Sequence, residues 1–192
     1  TTPMNFAGLG GSGDVQSQVW SFFAAKGLKP HQIAGIMGNV QQESGFNPLA
    51  MGDHVNGDPR AFGLFQWNDR RHNLFNSIGG QQNLGDVQKQ LEFAWQEMMT
   101  QPLEVAALER LMASTDVRGA TDAFLGFERP SGFSVANPSG AHGYDNRVAA
   151  AQAAMAKFEG VATSASDQVG QLGQASAQAG QGMDNLGQGM GQ

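Results

Sequence analysis

The sequence contains no cysteine, and it has only 11 lysine and arginine residues against 17 aspartate and glutamate residues. The lack of cysteine excludes disulfide bonds, thiolate metal ligands and a cysteine nucleophile. The formal net charge of -6 is opposite to the positive field that attracts nucleic acid, so no nucleic-acid partner is expected. The four histidines lack the spacing of a metal site, and we expect neither a metal nor a cofactor.

Long apolar runs are also missing, since none approaches the roughly 18 residues that a membrane-spanning helix needs. Even so, 40% of the 192 residues are hydrophobic, which is enough for one buried core, and we predict one domain at residues 14–160. Residues 1–13 include GLGGSG and predict a flexible lead-in. Residues 161–192 are rich in Gly, Gln, Ala and Ser and carry a weak heptad pattern. This tail is predicted to be either disordered or a helix held by an assembly.

Helical periodicity predicts a mainly α domain with one small irregular or β lobe early in the chain. The first helix is expected to begin with Asp14 as its N-cap and to end at Gly27. Pro30 suits the first turn of the second helix, which continues to Glu43. Glycine and proline residues interrupt the helical pattern at residues 44–68 and place the irregular lobe there. Further helices are expected at residues 70–78, 86–99, 103–112, 115–128 with Thr115 as N-cap, and 144–158.

The second predicted helix ends in a carboxylic acid, Glu43. A helix C-terminus carries roughly half a negative charge, which penalises an ionised glutamate there. If Phe46, Phe65 or Trp67 also shields this side chain from water, both effects favour the protonated acid. A neutral carboxylic acid can donate a proton to the leaving oxygen of a glycosidic bond. The alternative is that Glu43 only caps the helix or points into solvent.

Two short motifs carry a family resemblance. Glu43 begins the string ESGFNP, and GLFQ follows at residues 63–66. The strings WSFFAAKGLKPHQIAGIMGNVQQESGFNPLA, AFGLFQWNDRR and FLGFERP extend the likeness over about residues 16–157. In these motifs the chain resembles the lysozyme and lytic transglycosylase superfamily and, more narrowly, the phage tail lysozyme family. The resemblance implies a lysozyme-like α+β fold and glycosidase activity.

The resemblance also implies roles for the motif residues. Glu43 would be the general acid, and Ser44 would orient it or satisfy the carbonyl groups at the helix end. In the family, the Gly-Leu-x-Gln segment lines the saccharide cleft. The residues expected to contact the sugar are therefore Gly63, Leu64, Phe65, Gln66 and Trp67, with Tyr144 and Asn146 as candidate donors on the cleft wall. Phe65 and Trp67 could equally be aromatic residues of the core.

A second catalytic carboxylate has two candidates, Asp53 and Asp58, in the loop between the two motifs. Lysozymes often place there the partner that positions water or stabilises the oxocarbenium ion. Either aspartate could serve, although both are also ordinary turn residues. If neither faces Glu43, a lytic transglycosylase is favoured, in which one acid serves both steps and the 6-hydroxyl of the sugar closes a 1,6-anhydro ring. Hydrolysis and transglycosylation remain alternatives.

Other charged residues near the motifs have two readings each. Glu128, in FERP, is expected either to help form the cleft floor or to pair with Arg129 or Arg147. Three further arginines would bind the carboxylates of peptidoglycan stem peptides or would simply be solvated. They are Arg60, Arg70 and Arg71.

The resemblance implies a place of action as well as a reaction. The expected protein is a glycosidase of a phage virion, in the tail or as an ejected internal protein, that cleaves the MurNAc-GlcNAc β-1,4 bond of the glycan strand. It would act in the host cell wall or periplasm and open the wall locally during genome delivery. Other virion proteins would bind residues 161–192, and a membrane contact of this tail is a further alternative. The competing function is a non-catalytic module of the tail that binds peptidoglycan.

Overall fold

The computed structural model describes residues 12–159, with side chains from residue 15 onward. The chain divides into two compact units, Thr1–Met155 and Ala156–Gln192. The first unit holds the helices and strands around Glu43, and of the second only residues 156–159 are described, as helix. The predicted tail at residues 161–192 lies outside the described residues, as does the predicted lead-in up to residue 11.

Helices make up most of the described part of the chain, and the predicted mainly helical domain with a small β lobe is confirmed. The α-helices are α1 (Ser12–Ala25), α2 (Pro30–Ser44), α3 (Arg71–Ile78), α4 (Val87–Thr100), α5 (Pro102–Ala113), α6 (Val117–Glu128) and α7 (residues 144–159). Short 3-10 helices lie at Gln81–Asn83 and Pro138–Gly140. None of the described helices is both long and apolar enough to cross a bilayer.

Most helix ends lie within two residues of their predicted positions, and two starts need correction. Helix α1 begins at Ser12, two residues before the expected Asp14. The N-cap of α6 is Asp116 and not Thr115, because Oδ1 of Asp116 accepts a hydrogen bond from the backbone N of Gly119 at 2.7 Å. As predicted, Pro30 occupies the first turn of α2.

The irregular lobe lies between α2 and α3 and contains a minimal antiparallel sheet. Strand β1 (Met51–Gly52) pairs with β2 (Ala61–Phe62), with Met51 opposite Phe62 and Gly52 opposite Ala61. A second turn follows at once, because Phe62 also pairs with Trp67 across residues 63–66. Gly63 adopts the left-handed φ of 80° that this turn requires, and Gln66 follows at φ 48°.

An aromatic core joins this turn to α6. The ring of Phe65 lies 5.1 Å from that of Trp67 and 5.4 Å from that of Phe127, measured between centroids. Phe124 and Phe127 stack at 5.0 Å. All four side chains are almost completely buried. Their packing fixes the position of the GLFQ segment relative to the last two turns of α6.

Small residues let three helices approach closely. A Cβ added to Gly35 of α2 would lie 2.6 Å from the backbone carbonyl carbon of Ala120 in α6, and one added to Gly38 would lie 2.7 Å from the Cβ of Ala151 in α7. Gly35 and Ala120 each precede by eight residues the acid near the end of their own helix, Glu43 or Glu128. Along each helix, eight residues at 1.5 Å per residue place the acid about 12 Å from this contact.

Candidate active site

Glu43 occupies the last turn of α2, and the chain leaves the helix sharply after it. Gly45 takes the left-handed conformation with φ 59°, and its N donates a hydrogen bond to the O of Gln41. Phe46 follows at φ 62°, a conformation that costs a bulky residue roughly 1 to 2 kcal/mol. Because the Phe46 side chain is buried, core packing offsets this cost. The turn carries the chain away from the end of α2 toward the β lobe.

Ser44 ties the end of α2 to the GLFQ segment. Its Oγ lies 2.8 Å from the carbonyl O of Leu64 and 3.2 Å from that of Val40. A hydroxyl has a single proton to donate, so the shorter contact with Leu64 is the stronger candidate for the hydrogen bond. Of the two roles considered for Ser44, satisfying carbonyl oxygens is the one with contacts in the structure.

Arg147 of α7 is the direct partner of Glu43. Its Nη2 donates to Oε1 of Glu43 at 2.6 Å, and Nη1 donates to Oδ1 of Asn39 at 2.9 Å. Its Nε donates to the carbonyl O of His142 at 3.1 Å. The Arg147 side chain is almost fully buried, whereas 18% of the Glu43 side chain is exposed. A ligand can therefore reach the carboxylate, while the guanidinium is held behind it.

Asn39 connects this ion pair to α6. Its Nδ2 donates to the carbonyl O of Gly35 at 2.9 Å and contacts that of Thr121 at 3.3 Å, while its Oδ1 accepts from Arg147. The side chain is fully buried. Since both ends of the amide have partners, the orientation of Asn39, and with it the position of the guanidinium, is fixed.

Glu128, near the end of α6, is the second carboxyl of the site. Its Oε1 is buried without a hydrogen-bond partner. Burial raises the pKa of Glu128 well above its ordinary value of 4.5, and the negative charge of Glu43 raises it further. Arg147 and Arg70 act in the opposite direction but do not overcome burial. The sequence predicts a carboxyl with a raised pKa at Glu43. In the structure, Glu128 is a carboxyl with this property.

The pairing of Glu128 with Arg129 or Arg147 that was considered from the sequence is not found. Arg129 adopts φ 51° and its Nη1 lies 2.7 Å from Oε1 of Glu104, while Arg147 is engaged by Glu43. No ion pair of the described residues includes Glu128.

Arg70 continues the charged region toward α4 and α5. Its Nη1 lies 2.7 Å from Oε2 of Glu97 and 3.0 Å from Oε1 of Glu104, and its Nη2 donates to the carbonyl O of Phe127 at 3.0 Å. Oε2 of Glu97 also accepts from Nε1 of Trp67 at 2.9 Å. Burial raises the pKa of Glu97, although Arg70 and the Trp67 hydrogen bond counteract it. We call the following residues the charged cluster: Glu43, Arg70, Glu97, Glu104, Glu128, Arg129 and Arg147.

The GLFQW residues expected to contact sugar are largely internal. The side chains of Leu64, Phe65 and Trp67 are at most 1% exposed, so the core position considered for Phe65 and Trp67 agrees with the structure. Nε2 of Gln66 lies 3.1 Å from the carbonyl O of Ala50 and 3.0 Å from that of Gly63. Both amide hydrogens of Gln66 are therefore used inside the lobe, and its Oε1 is the atom that remains to accept a hydrogen bond from a ligand.

Asp53 and Asp58 are both exposed residues of the loop between β1 and β2. Asp53 accepts a hydrogen bond from Nδ2 of Asn68, and the backbone of Asp58 pairs with that of Val55 in a turn. Within the described residues, no hydrogen bond or ion pair joins either aspartate to Glu43. The negative charge of Glu43 acts instead on Glu128, whose pKa it raises.

The remaining candidates lie at different places. Tyr144 opens α7, and its hydroxyl accepts from Nη1 of Arg118 at 3.3 Å. Burial and a hydrogen bond to Asp122 raise its pKa. Asn146 is exposed.

Of the arginines considered for stem peptides, Arg70 belongs to the charged cluster, Arg71 donates to the carbonyl O of Asn68, and Nε of Arg60 is buried without a hydrogen-bond partner.

Two surface cavities of the described unit lie apart from Glu43. One of about 480 Å³ lies between α3 and α4 and includes Glu97 in its wall. The other, of about 390 Å³, lies beside α5 and α6 under residues 133–138. Glu43 lines neither cavity. No group of three histidine, aspartate or glutamate side chains within residues 15–159 is placed to hold a metal ion.

Sequence reasoning missed the partnership of Arg147 with Glu43 and the part played by Asn39. The two ion-paired residues are 104 positions apart, so no local pattern could reveal the contact. A signal was nevertheless present, because a polar Asn39 lies among apolar residues on the buried face of α2. A buried amide of this kind needs partners from neighbouring elements.

The family model described as phage tail lysozyme matches residues 14–158, a range that includes Glu43, Glu128 and Arg147. No curated protein matches the chain.

Proposed function

Because the chain belongs to the phage tail lysozyme family, we propose that it is a virion-associated glycosidase that cleaves the MurNAc-GlcNAc β-1,4 bond of peptidoglycan with Glu43 as the acid. Its place of action would be the host cell wall or periplasm during genome delivery. The observation that carries the proposal is the pair of carboxyls at the ends of α2 and α6. One is accessible and paired with arginine, and the other has a raised pKa.

Such a pair suits glycoside cleavage. The reaction needs one carboxyl that gives a proton to the leaving oxygen and negative charge that stabilises the oxocarbenium-like transition state. Two carboxyls whose surroundings favour different protonation states can supply both. Glu43 is the member that a saccharide can touch, since part of its side chain is exposed. Within the GLFQ segment, Oε1 of Gln66 would then be the group that contacts the sugar, because the backbone of Gly63 and Leu64 is already hydrogen-bonded inside the protein.

Hydrolysis and lytic transglycosylation both begin with protonation of the glycosidic oxygen. The position of Asp53 and Asp58 on an exposed loop without a bond to Glu43 supports the single-acid route. Mass spectrometry of the released muropeptides distinguishes the two routes, because hydrolysis leaves a reducing end and transglycosylation leaves a 1,6-anhydro end.

The test of the proposal is clearing of purified cell wall by the wild-type chain and by Glu43→Gln. Glutamine keeps the size of the side chain and can still accept from Arg147, but it cannot donate an acidic proton. We expect the rate to fall about 100-fold or more, the contribution of a general acid. Glu109→Gln, an exposed residue of α5, is the matched control and should clear the wall at the wild-type rate.

Equal clearing by wild type and Glu43→Gln would remove Glu43 from the mechanism. Wild-type protein that sediments with cell wall but releases no muropeptides would instead support a module that binds peptidoglycan without cutting it. The proposed contact of residues 161–192 with other virion proteins or a membrane concerns a part of the chain outside the described residues.

A further inference from the structure

The cavity of about 480 Å³ between α3 and α4 lies within the size range of small-molecule sites, roughly 300 to 1,000 Å³. Eight residues line this cavity, and six of them have neutral polar side chains. The other two are Phe93 and Glu97. Among the described residues, no lysine, arginine or histidine lines the cavity, so a phosphate or another anion would find no counter-charge there.

The lining comes from one side of each helix. In α3, Asn76 and Ser77 follow Asn73 by three and four positions, the spacing that brings side chains next to one another on a helix. In α4, Glu97 follows Phe93 by four positions. Where two helices pack directly against each other, this spacing usually carries apolar residues. Here it carries mostly amide and hydroxyl groups, which favours a polar ligand between the helices.

The polar groups of this lining are available to a ligand. Four of the lining residues are exposed, and within residues 15–159 their side chains make no hydrogen bond to the protein. They are Asn73, Asn76, Ser77 and Gln96. An amide offers two donor hydrogens and an acceptor oxygen, and a serine hydroxyl both donates and accepts. A ligand that carries several hydroxyl groups can therefore pair with every one of these side chains.

Glu97 adds a carboxyl of fixed orientation to the same wall. Its Oε2 accepts hydrogen bonds from Nε1 of Trp67 at 2.9 Å and from Nη1 of Arg70 at 2.7 Å, so the group cannot turn freely. Its Oε1 has no hydrogen bond to any described residue, and it is not closed off from solvent as Oε1 of Glu128 is. An ionised carboxyl accepts from a hydroxyl and a protonated one can also donate, so Oε1 can bind a sugar hydroxyl in either state.

We propose that this cavity is a second saccharide-binding site, in which the amides of α3 and α4 and Oε1 of Glu97 bind the hydroxyl and acetamido groups of an uncharged sugar. A lipid or an apolar peptide would meet only Phe93 as an apolar surface. The inference goes beyond the proposed function, because Glu43 does not line this cavity and the sugar is bound there without being cut. If the chain also cleaves the glycan strand, a second contact with that strand strengthens its attachment to the wall.

The experiment follows the side-chain amide signals of the full-length chain by 1H-15N NMR during titration with the β-1,4-linked tetrasaccharide of N-acetylglucosamine. Glu43→Gln is present throughout, so that the probe stays intact. The signals of Asn73, Asn76 and Gln96 should shift and reach saturation. The signal of Gln66 reports separately on the GLFQ segment near Glu43. Glycerol at the same concentration of hydroxyl groups should leave the cavity signals in place.

Gln96→Ala tests the cavity directly. The position is exposed, so the fold should be kept, which thermal denaturation verifies. Loss of one hydrogen-bonding side chain should weaken tetrasaccharide binding about three- to tenfold, as read from the Asn73 and Asn76 signals. With Glu43 intact, Gln96→Ala should raise KM for cell wall by a similar factor and leave kcat unchanged. Gln152→Ala, at an exposed position of α7 outside the cavity, is the matched control and should change neither.

A cavity that holds only solvent would give a different result. Cavity signals that do not saturate, equal shifts with glycerol, or equal affinity with and without Gln96→Ala would each overturn the second saccharide site. The glycosidase proposal fails separately. Saturable cavity signals in a chain whose wild type releases no muropeptides overturn the activity and support the site, and release of muropeptides without these shifts does the reverse.

Discussion

Arg147 donates to three acceptors: the Glu43 carboxylate and the Asn39 amide oxygen, both in α2, and the backbone carbonyl of His142. Only a guanidinium offers donors with this fixed spread, because an ammonium group is a single compact point. Its burial also means that water cannot replace it. The residue is therefore a structural requirement of the site as well as the counter-charge of Glu43.

Replacing Arg147 with methionine should lower the free energy of unfolding by about 3 to 5 kcal/mol, since it leaves a carboxylate and two other acceptors without their donor. Denaturant unfolding measures this. Arg118→Met is the comparison, because Arg118 is exposed and makes one long hydrogen bond, and it should cost at most about 1 kcal/mol. If the two variants lose the same free energy of unfolding, the buried hydrogen bonds of Arg147 contribute no more to stability than the exposed contact of Arg118 does.

At the level of single residues, the sequence predicts Glu43 as the acid but does not predict its surroundings. The ESGFNP and GLFQ motifs are short local strings. The glycine that ends α2, Gly45, and the glycine of the following turn, Gly63, can both be predicted from them. The partner of Glu43 is decided by how α7 crosses α2, and that depends on side-chain volumes across the whole core. The string FERP places an arginine next to Glu128 and predicts a pairing of the two, yet Arg129 is left-handed and its side chain contacts Glu104 of α5 instead.

Among the secondary-structure elements, the contact of α2 with α6 sets the distance between the two carboxyls. Gly35 has no side chain at the point where Ala120 approaches, and a methyl group added there would overlap backbone atoms of α6. Backbone cannot move aside as the end of a flexible side chain can. The spacing of the helices is thus fixed by the absence of one Cβ atom.

Gly35→Ala should therefore destabilise the protein by about 1 to 3 kcal/mol despite the better helix propensity of alanine, and it should slow wall cleavage by moving Glu43 away from Glu128. Thermal denaturation and the clearing assay measure the two effects. Gly85→Ala is the matched control, because nothing lies within 4 Å of its added Cβ and its φ is not left-handed, so it should lower neither the melting temperature nor the rate of wall cleavage. An unaltered melting temperature in Gly35→Ala would show that the helices can separate without cost.

The elements themselves were largely predictable. Apolar spacing located each helix, and glycine and proline marked the irregular lobe, because these signals act within a few residues. The misplaced N-cap shows the limit, since Thr115 and Asp116 are adjacent and both can cap. Asp116 is the N-cap because its side chain accepts the hydrogen bond from the backbone N of Gly119. The two candidates are one residue apart, and composition does not distinguish them.

For the whole molecule, buried carboxyls make stability depend on pH. The pKa of Glu128 is raised well above 4.5, so the folded chain binds its proton more tightly than the unfolded chain does. Between these two pKa values the native state holds more protons, and the free energy of unfolding must fall as pH rises through that interval. Glu97 contributes with the same sign, because burial raises its pKa too.

Glu128→Gln removes the larger of these contributions. We expect its unfolding free energy to exceed that of wild type at neutral pH and the difference to shrink as pH is lowered, until it vanishes well below 4.5, where the wild-type group is protonated in both states. Denaturant titrations at several pH values measure the difference. Glu109→Gln should run parallel to wild type, and a Glu128→Gln curve that also stays parallel would contradict the raised pKa.

Glu43 and Arg147 are 104 positions apart in the chain. The motifs in which the family resemblance is densest, however, all lie before residue 72. A polypeptide emerging from the ribosome exposes those motifs long before α7 exists. Until residue 147 has been synthesised and has folded back onto α2, the carboxylate lacks its counter-ion and the helices lack their closing contact. A nascent chain that lacks α7 therefore cannot form the pair of Glu43 and Arg147 on which the proposed site depends.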